Sequence, residues 1–156
     1  MHYIGLNTCD SANGPGVRVS LFVSGCTLKC KGCFNEESWD FKAGKPFTDE
    51  TLQTILKALD DDFIEGLSLL GGDPMEEANR EEVLRIVRAV REKFGAKKTI
   101  WLWTGRRREK IADSPILDCV DTLIDGPFIE HLKVKEEGLW YGSSNQRVIE
   151  LHPLKP

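Results

Sequence analysis

The apolar positions of this chain fall into short sets of differing period, and those periods predict alternating strands and helices. Val17 to Ser24 reads VRVSLFVS, rich in β-branched and aromatic residues, and predicts a strand stopped by Gly25. A polar loop follows from Asn35 to Pro46. Thr48 is placed to cap a helix that opens with Asp49 and Glu50, acids suited to the positive end of a helix dipole. Phe47 and Leu52 have the spacing of a hydrophobic staple, and Leu52, Ile55, Leu56 and Leu59 repeat as one buried helical stripe. Leu67 to Leu70 is a short strand ended by Gly71-Gly72-Asp73-Pro74. Val83, Ile86, Val87, Val90 and Phe94 mark a second helix. Its start is open, since Asp73–Glu76 and Asn79–Glu82 both carry capping chemistry. TIWLWT at 99–104 reads as a strand covered on both faces, and Gly105 stops it. A short helix over Arg106–Ile111, a strand over Thr122–Ile124 before Asp125-Gly126-Pro127-Phe128, and a late strand over Arg147–Leu151 complete the order. There is no internal repeat and no low-complexity linker.

Strand–helix alternation of this kind implies an α/β fold built on a mostly parallel sheet with right-handed crossovers. In such folds ligands bind beyond the carboxyl ends of the strands. Here those ends carry the cysteine loop, Gly71-Gly72-Asp73-Pro74, Gly105 with its arginines, and Asp125-Gly126-Pro127. Topology alone predicts that these four loops meet on one face.

Composition narrows the setting. The 156 residues fit one domain, 1–156, and are enough to bury a core without disulfides. The net charge of -4 gives no sign of a nucleic-acid groove or of attraction to an anionic membrane. No leader-like start and no apolar run long enough to span a bilayer is visible, so the expected compartment is the cytoplasm. The five cysteines, Cys9, Cys26, Cys30, Cys33 and Cys119, cannot all pair internally. Three of them crowd into eight residues, which in a reducing compartment favours a metal or catalysis.

That crowded loop, Cys26-Thr27-Leu28-Lys29-Cys30-Lys31-Gly32-Cys33, has the spacing Cys-x3-Cys-x2-Cys. Three thiolates can hold three corners of an iron–sulfur cubane. Electron-carrier clusters use four cysteines, so a trio leaves one iron open for a ligand. The rival reading is structural zinc, which is four-coordinate and closed by Cys or His. Cys9, Cys119, His2, His131 and His152 are the spare candidates, and they form no second metal-binding pair. Lys29 and Lys31 are expected to keep the loop out of the core and to lower its thiol pKa values.

Cys-x3-Cys-x2-Cys after a first strand resembles the signature of the radical S-adenosylmethionine superfamily. Gly71-Gly72-Asp73-Pro74 is similar to its second motif, which contacts the amino group of the methionine portion. The resemblance narrows to the glycyl-radical activases of anaerobic ribonucleotide reductase. It runs through Asn13-Gly14-Pro15-Gly16 with Arg18, Leu21–Cys26, Cys30–Asn35, Trp101–Gly105, Asp125–Phe128 and Gly142–Arg147, nearly the whole chain. It implies a shortened, open, partial parallel β/α barrel of the radical S-adenosylmethionine type; longer relatives such as the pyruvate formate-lyase activase have extra strands. It also implies a [4Fe–4S] cluster on Cys26, Cys30 and Cys33 whose unique iron chelates S-adenosylmethionine. Reductive cleavage then yields a 5′-deoxyadenosyl radical, which takes a hydrogen from a glycine of the reductase large subunit. The implied electron donor is reduced flavodoxin or a similar protein, with no protein acid–base pair required. Gly71, Gly72 and Asp73 are the implied S-adenosylmethionine contacts. The superfamily usually has an aromatic residue before the last cysteine. This chain has Gly32 there, as does the activase branch, so Gly32, Cys33 and Phe34 are expected along the adenine pocket. Two rivals stay open: a radical enzyme acting on a small molecule, which would need further strands or an insertion, and a zinc-stabilised interaction module that is not an enzyme.

Arg106-Arg107-Arg108 reads first as a solvated charged face, with a carboxylate contact or docking surface as the alternative. Trp101 and Trp103 share a strand face and are expected in the core or along a pocket. Cys9 and Cys119 read as inert small hydrophobes and Asp60-Asp61-Asp62 as a solvated helix end. The histidines, Asn145 and Arg147 receive no role.

Overall fold

The computed structural model describes residues 1–33, 36–136 and 138–151. Phe34 and His152, singled out in the sequence, lie outside the described residues. The strands are β1 (His2–Asp10), β2 (Val17–Val23), β3 (Lys45–Pro46), β4 (Ile64–Gly71), β5 (Thr99–Trp103), β6 (Thr122–Asp125) and β7 (Arg147–Glu150). The helices are α1 (Asp49–Leu59), α2 (Glu77–Phe94) and α3 (Arg108–Ile111). All strands join one sheet in the order β3-β1-β2-β4-β5-β6-β7. β2, β4, β5 and β6 run parallel at its centre, while β1, β3 and β7 are added antiparallel. The sheet is open, with β3 and β7 as its edges. Among the described residues no helix is long and apolar enough to cross a membrane.

The parallel centre is the alternation expected from the sequence, and the antiparallel additions were not foreseen except for the late strand β7. β1 escapes a period-2 reading for a physical reason. Its register shifts twice, between Tyr3 and Gly5 and between Asn7 and Asp10, and most of its residues are half-buried or exposed. A bulged strand loses the strict alternation that marks one wet and one dry face.

The two faces of the sheet differ in chemistry. On one, Val19, Leu21, Val23, Leu67, Leu69, Ile100, Leu102 and Leu123 pack against the apolar stripes of α1 and α2. α1 begins as expected: Thr48 and Thr51 form a reciprocal capping box, and Phe47 and Leu52 are both buried. α2 resolves its open start at Glu77, so neither sequence candidate supplies a side-chain cap. Asn79 lies inside the first turn instead, and its amide donates to the carbonyls of Ser24 and Asp73.

The other face carries Ser20, Ser68, Trp101 and Thr122 at one level, in register across β2, β4, β5 and β6. Below them lies Arg18, fully buried. Its five N–H groups donate to Ser68 Oγ, the Pro15 carbonyl, Thr99 Oγ1 and the Leu67 and Thr99 carbonyls, at 2.8–3.2 Å. The guanidinium carbon lies 5.8 Å from the centroid of the Trp101 ring. Burial pushes the Arg18 pKa down to about 10, against the more distant charges of Glu65 and Asp121. A buried cation saturated by neutral acceptors is stable only while every donor is used.

Arg18→Met is therefore expected to lower stability by about 3 kcal/mol, because it strands buried acceptors on β4, on β5 and in the loop before β2. Arg18→Lys, with three donors for five acceptors, should recover only part of that loss. Urea unfolding midpoints of the metal-free chain measure both, and a loss below about 1 kcal/mol for Arg18→Met would contradict this role.

Candidate functional site

The carboxyl ends of the four parallel strands converge on one cavity of about 150 Å³. β2 leads into Cys26, Leu28, Cys30 and Cys33; β4 into Gly71, Gly72 and Asp73; β5 into Thr104 and Gly105; β6 into Gly126 and Phe128. All of these line the cavity, together with Gln146. The convergence expected from topology is thus the observed geometry.

The cysteine loop and the glycine loop are joined by continuing the parallel ladder past the strands. Gly72 N–H donates to the Val23 carbonyl at 2.7 Å and Asp73 N–H to the Gly25 carbonyl at 2.9 Å. The approach demands glycine: a Cβ on Gly72 would lie 2.6 Å from the Gly25 oxygen. These two amides are engaged within the protein and do not serve the cavity. On the other side, Gly25 N–H and Cys26 N–H donate to the Ser38 and Trp39 carbonyls at 2.6 and 3.2 Å. Cys26 is buried, and Cys30 and Cys33 are half-buried.

Gly32 has φ of +77°, the left-handed region that side chains avoid, and a Cβ there would strike the Glu130 carboxylate. The positive φ favours glycine here, and any side chain would also have to push the exposed Glu130 carboxylate aside. The absent Cβ of Gly32 points at Glu130, whereas Cys33 lines the cavity.

Behind the loops lies an ionic network. The Asp73 side chain is 1% exposed and accepts from Met75 N–H, Thr104 Oγ1, Gly105 N–H and Arg106 Nη1 at 2.8–3.1 Å. Arg106 Nη2 reaches Glu76 Oε2 at 3.1 Å. The same Glu76 oxygen accepts from Thr27 N–H at 2.7 Å and Thr27 Oγ1 at 2.9 Å. Burial pushes the Asp73 carboxyl up, and its four donors oppose that shift. Burial would also raise Glu76, but the Thr27 amide and hydroxyl and the Arg106 guanidinium hold it below its ordinary value. Arg106 is pushed up despite its burial, because Asp73 and Glu76 both favour the cation.

These contacts correct the expectation of a solvated arginine face. Arg107 and Arg108 are exposed, but the Arg106 side chain is 21% exposed and sits between two carboxylates. The thiol expectation is corrected as well. Burial pushes the Cys26 thiol up, the Leu28 and Lys29 N–H groups oppose this, and Asp73 and Glu76 add to it. Cys9, expected as an inert hydrophobe, is exposed at the end of β1, while Cys119 packs against the core. Asp60, Asp61 and Asp62 are exposed, as expected.

A second chamber of about 410 Å³ shares Cys33, Leu70, Trp103, Phe128 and Gln146 with the first. Phe22, Trp140 and Tyr141 add aromatic wall, and Asn13 adds a polar group. Trp103 therefore lines both chambers, and its Nε1–H donates to the Trp140 carbonyl at 2.6 Å. Trp101 is buried with its ring edge-on to Trp140. Asn145 and Arg147 acquire places: Asn145 Nδ2 donates to the Pro127 carbonyl, and Arg147 pairs with Asp125 and Glu109. Together with Gln146 Nε2 donating to the Gly126 carbonyl, they fix the rim at the end of β6.

The donor set fits an iron–sulfur cluster. Among the described residues no three Cys, His, Asp or Glu side chains gather as one metal ion would require. A cubane imposes no such convergence, because its cysteines bind separate irons. The adjoining glycine loop and aromatic wall suit a ligand with one polar and one ring-bearing end.

Comparison with known proteins follows the same line. Residues 12–149 match the family described as a 4Fe-4S single cluster domain. The anaerobic ribonucleoside-triphosphate reductase-activating protein of Enterobacteria phage T4 is 44% identical over 148 residues, covering 95% of this chain and 93% of the relative. The protein of that name from Vibrio cholerae is 43% identical over 151 residues (94% and 96%), and that from Escherichia coli K12 is 39% identical over 155 residues (97% and 99%). With three thiols at the mouth of one cavity, a cluster-domain match over most of its length and relatives matched nearly end to end, the chain belongs to the family of anaerobic ribonucleoside-triphosphate reductase-activating proteins.

Proposed function

We propose that this protein is a radical S-adenosylmethionine activase that generates a glycyl radical on the large subunit of anaerobic ribonucleotide reductase. The observation that carries this reading is the company kept by three loop cysteines: they line one cavity with the glycine loop at the ends of four parallel strands. The names of the relatives supply the target, and the family match supplies the cluster type.

In this reading Cys26, Cys30 and Cys33 hold the [4Fe–4S] cluster. When bound and reduced by one electron from a flavodoxin-type donor, the cluster supplies the electron that cleaves S-adenosylmethionine to methionine and a 5′-deoxyadenosyl radical, which takes a glycine α-hydrogen. The chain's own work is positioning. Ser38 and Trp39 carbonyls anchor the start of the cysteine loop, and the Leu28 and Lys29 N–H groups face the Cys26 sulfur. Gly71 and Gly72 line the methionine end, with the Asp73 carboxylate turned inward to hold Thr104, Gly105 and Arg106. Trp103 and Phe128, beside Cys33, offer apolar surface to the adenosyl group. The inner sheet face serves as the partial barrel, and its larger chamber admits the partner's glycine loop while keeping water from the radical.

Anaerobic reconstitution with iron and sulfide, then addition of dithionite, S-adenosylmethionine and the reductase subunit, should release 5′-deoxyadenosine and methionine in equal amounts. No 5′-deoxyadenosine under these conditions would overturn the enzyme reading. Cys30→Ala should lose cluster absorbance and cleavage together, while Cys9→Ala and Cys119→Ala keep both. A Cys30→Ala protein that retains its full iron content would refute the ligand assignment.

A further inference from the structure

Glu76 occupies the N-cap of α2, a position that favours Ser, Thr, Asp or Asn. Its side chain makes no capping bond there. The carboxylate is instead 6% exposed and turned to the cysteine loop, where one oxygen receives the Thr27 amide, the Thr27 hydroxyl and Arg106. An 18-residue helix thus forgoes a side-chain cap so that a charge can hold the residue directly after Cys26.

We propose that Glu76 is a positioning residue for the cluster: it fixes the Cys26 end of the loop and holds a negative charge beside the cluster that lowers its reduction potential. The proposal rests on Cys26, Cys30 and Cys33 being cluster ligands. The geometry gives Glu76 two separable effects. As an acceptor it takes both donors of Thr27, and Arg106 secures it against Asp73, so that the β2, β4 and β5 ends move as one piece. As a charge it makes the local set of Asp73, Glu76 and Arg106 net negative. Lys29 and Lys31, the other charges of the loop, are exposed and screened by water. One-electron reduction adds negative charge to a cluster, so a fixed carboxylate close by opposes it. A cluster that is harder to reduce is the stronger donor once reduced.

Glu76→Gln separates the two effects, since the amide oxygen still accepts from Thr27 while the charge is gone. Glu76→Ala removes both. The measurements are iron content, an electron-paramagnetic-resonance-monitored redox titration with dithionite, and the rate of iron loss to a chelator, all on the full chain reconstituted anaerobically. Glu76→Gln is expected to hold the wild-type iron content and to titrate at a higher potential. Glu76→Ala is expected to lose iron several-fold faster than wild type, with Glu76→Gln between them. Wild-type potential in Glu76→Gln would overturn the electrostatic role, and wild-type chelator resistance in Glu76→Ala would overturn the positioning role. If wild type itself assembles no cluster, the reading of the cysteines fails first, and this proposal falls with it.

Discussion

The Asp73 carboxylate, buried at the end of β4, is the interaction on which the site's geometry depends. It receives the hydroxyl of Thr104, the amide of Gly105 and the guanidinium of Arg106, so it binds the end of β5 to that of β4. Arg106 passes the connection to Glu76, and Glu76 passes it to Thr27 at the end of β2. A buried carboxylate is tolerable only with its lone pairs filled and a counter-charge at hand, and both conditions are met here. The same requirement makes the assembly stiff. No member can leave without stranding a buried partner, so the loops that must present a cofactor are held to one arrangement.

The two faces of the sheet divide the labour of stability and chemistry. Aliphatic residues and the stripes of α1 and α2 fill one side and supply the hydrophobic drive to fold. The other side is lined by Ser20, Ser68 and Thr122 level with Trp101 and by Arg18 below them, residues that earn little by burial alone. Arg18 fills the acceptors of Ser68 and Thr99 and lies against the Trp101 ring, which meets Trp140 edge-on, whereas the buried Ser20 hydroxyl has no hydrogen-bond partner among the described residues. An open sheet with such a lined face retains a chamber next to the cysteine loop, where a closed apolar core would leave none.

Much of this was legible in the sequence. The stripes of α1 and α2 follow from periodicity, the four parallel strands from short apolar or β-branched runs buried on both faces, and the meeting of their carboxyl-end loops from topology. The bulged β1 was not legible, because its register shifts erase the alternation. The cysteine loop declared itself by crowding three thiols into polar surroundings. Its supports did not. Thr27 and Glu76 are 49 residues apart, Asp73 and Arg106 are 33 apart, and nothing local separates Glu76 from Glu77 or Arg106 from Arg107. A hint was present in retrospect: a glutamate at a helix start without a capping role is a charge in search of a distant partner.

The central claim is that three thiolates leave one iron of the cluster able to take a ligand. Mössbauer spectra of the protein reconstituted with ⁵⁷Fe, before and after adding S-adenosylmethionine, test it most directly. The account predicts that about one quarter of the iron signal separates from the rest and shifts on addition, as a single open corner of a cubane would. A spectrum in which all iron is equivalent and unmoved by S-adenosylmethionine would contradict it.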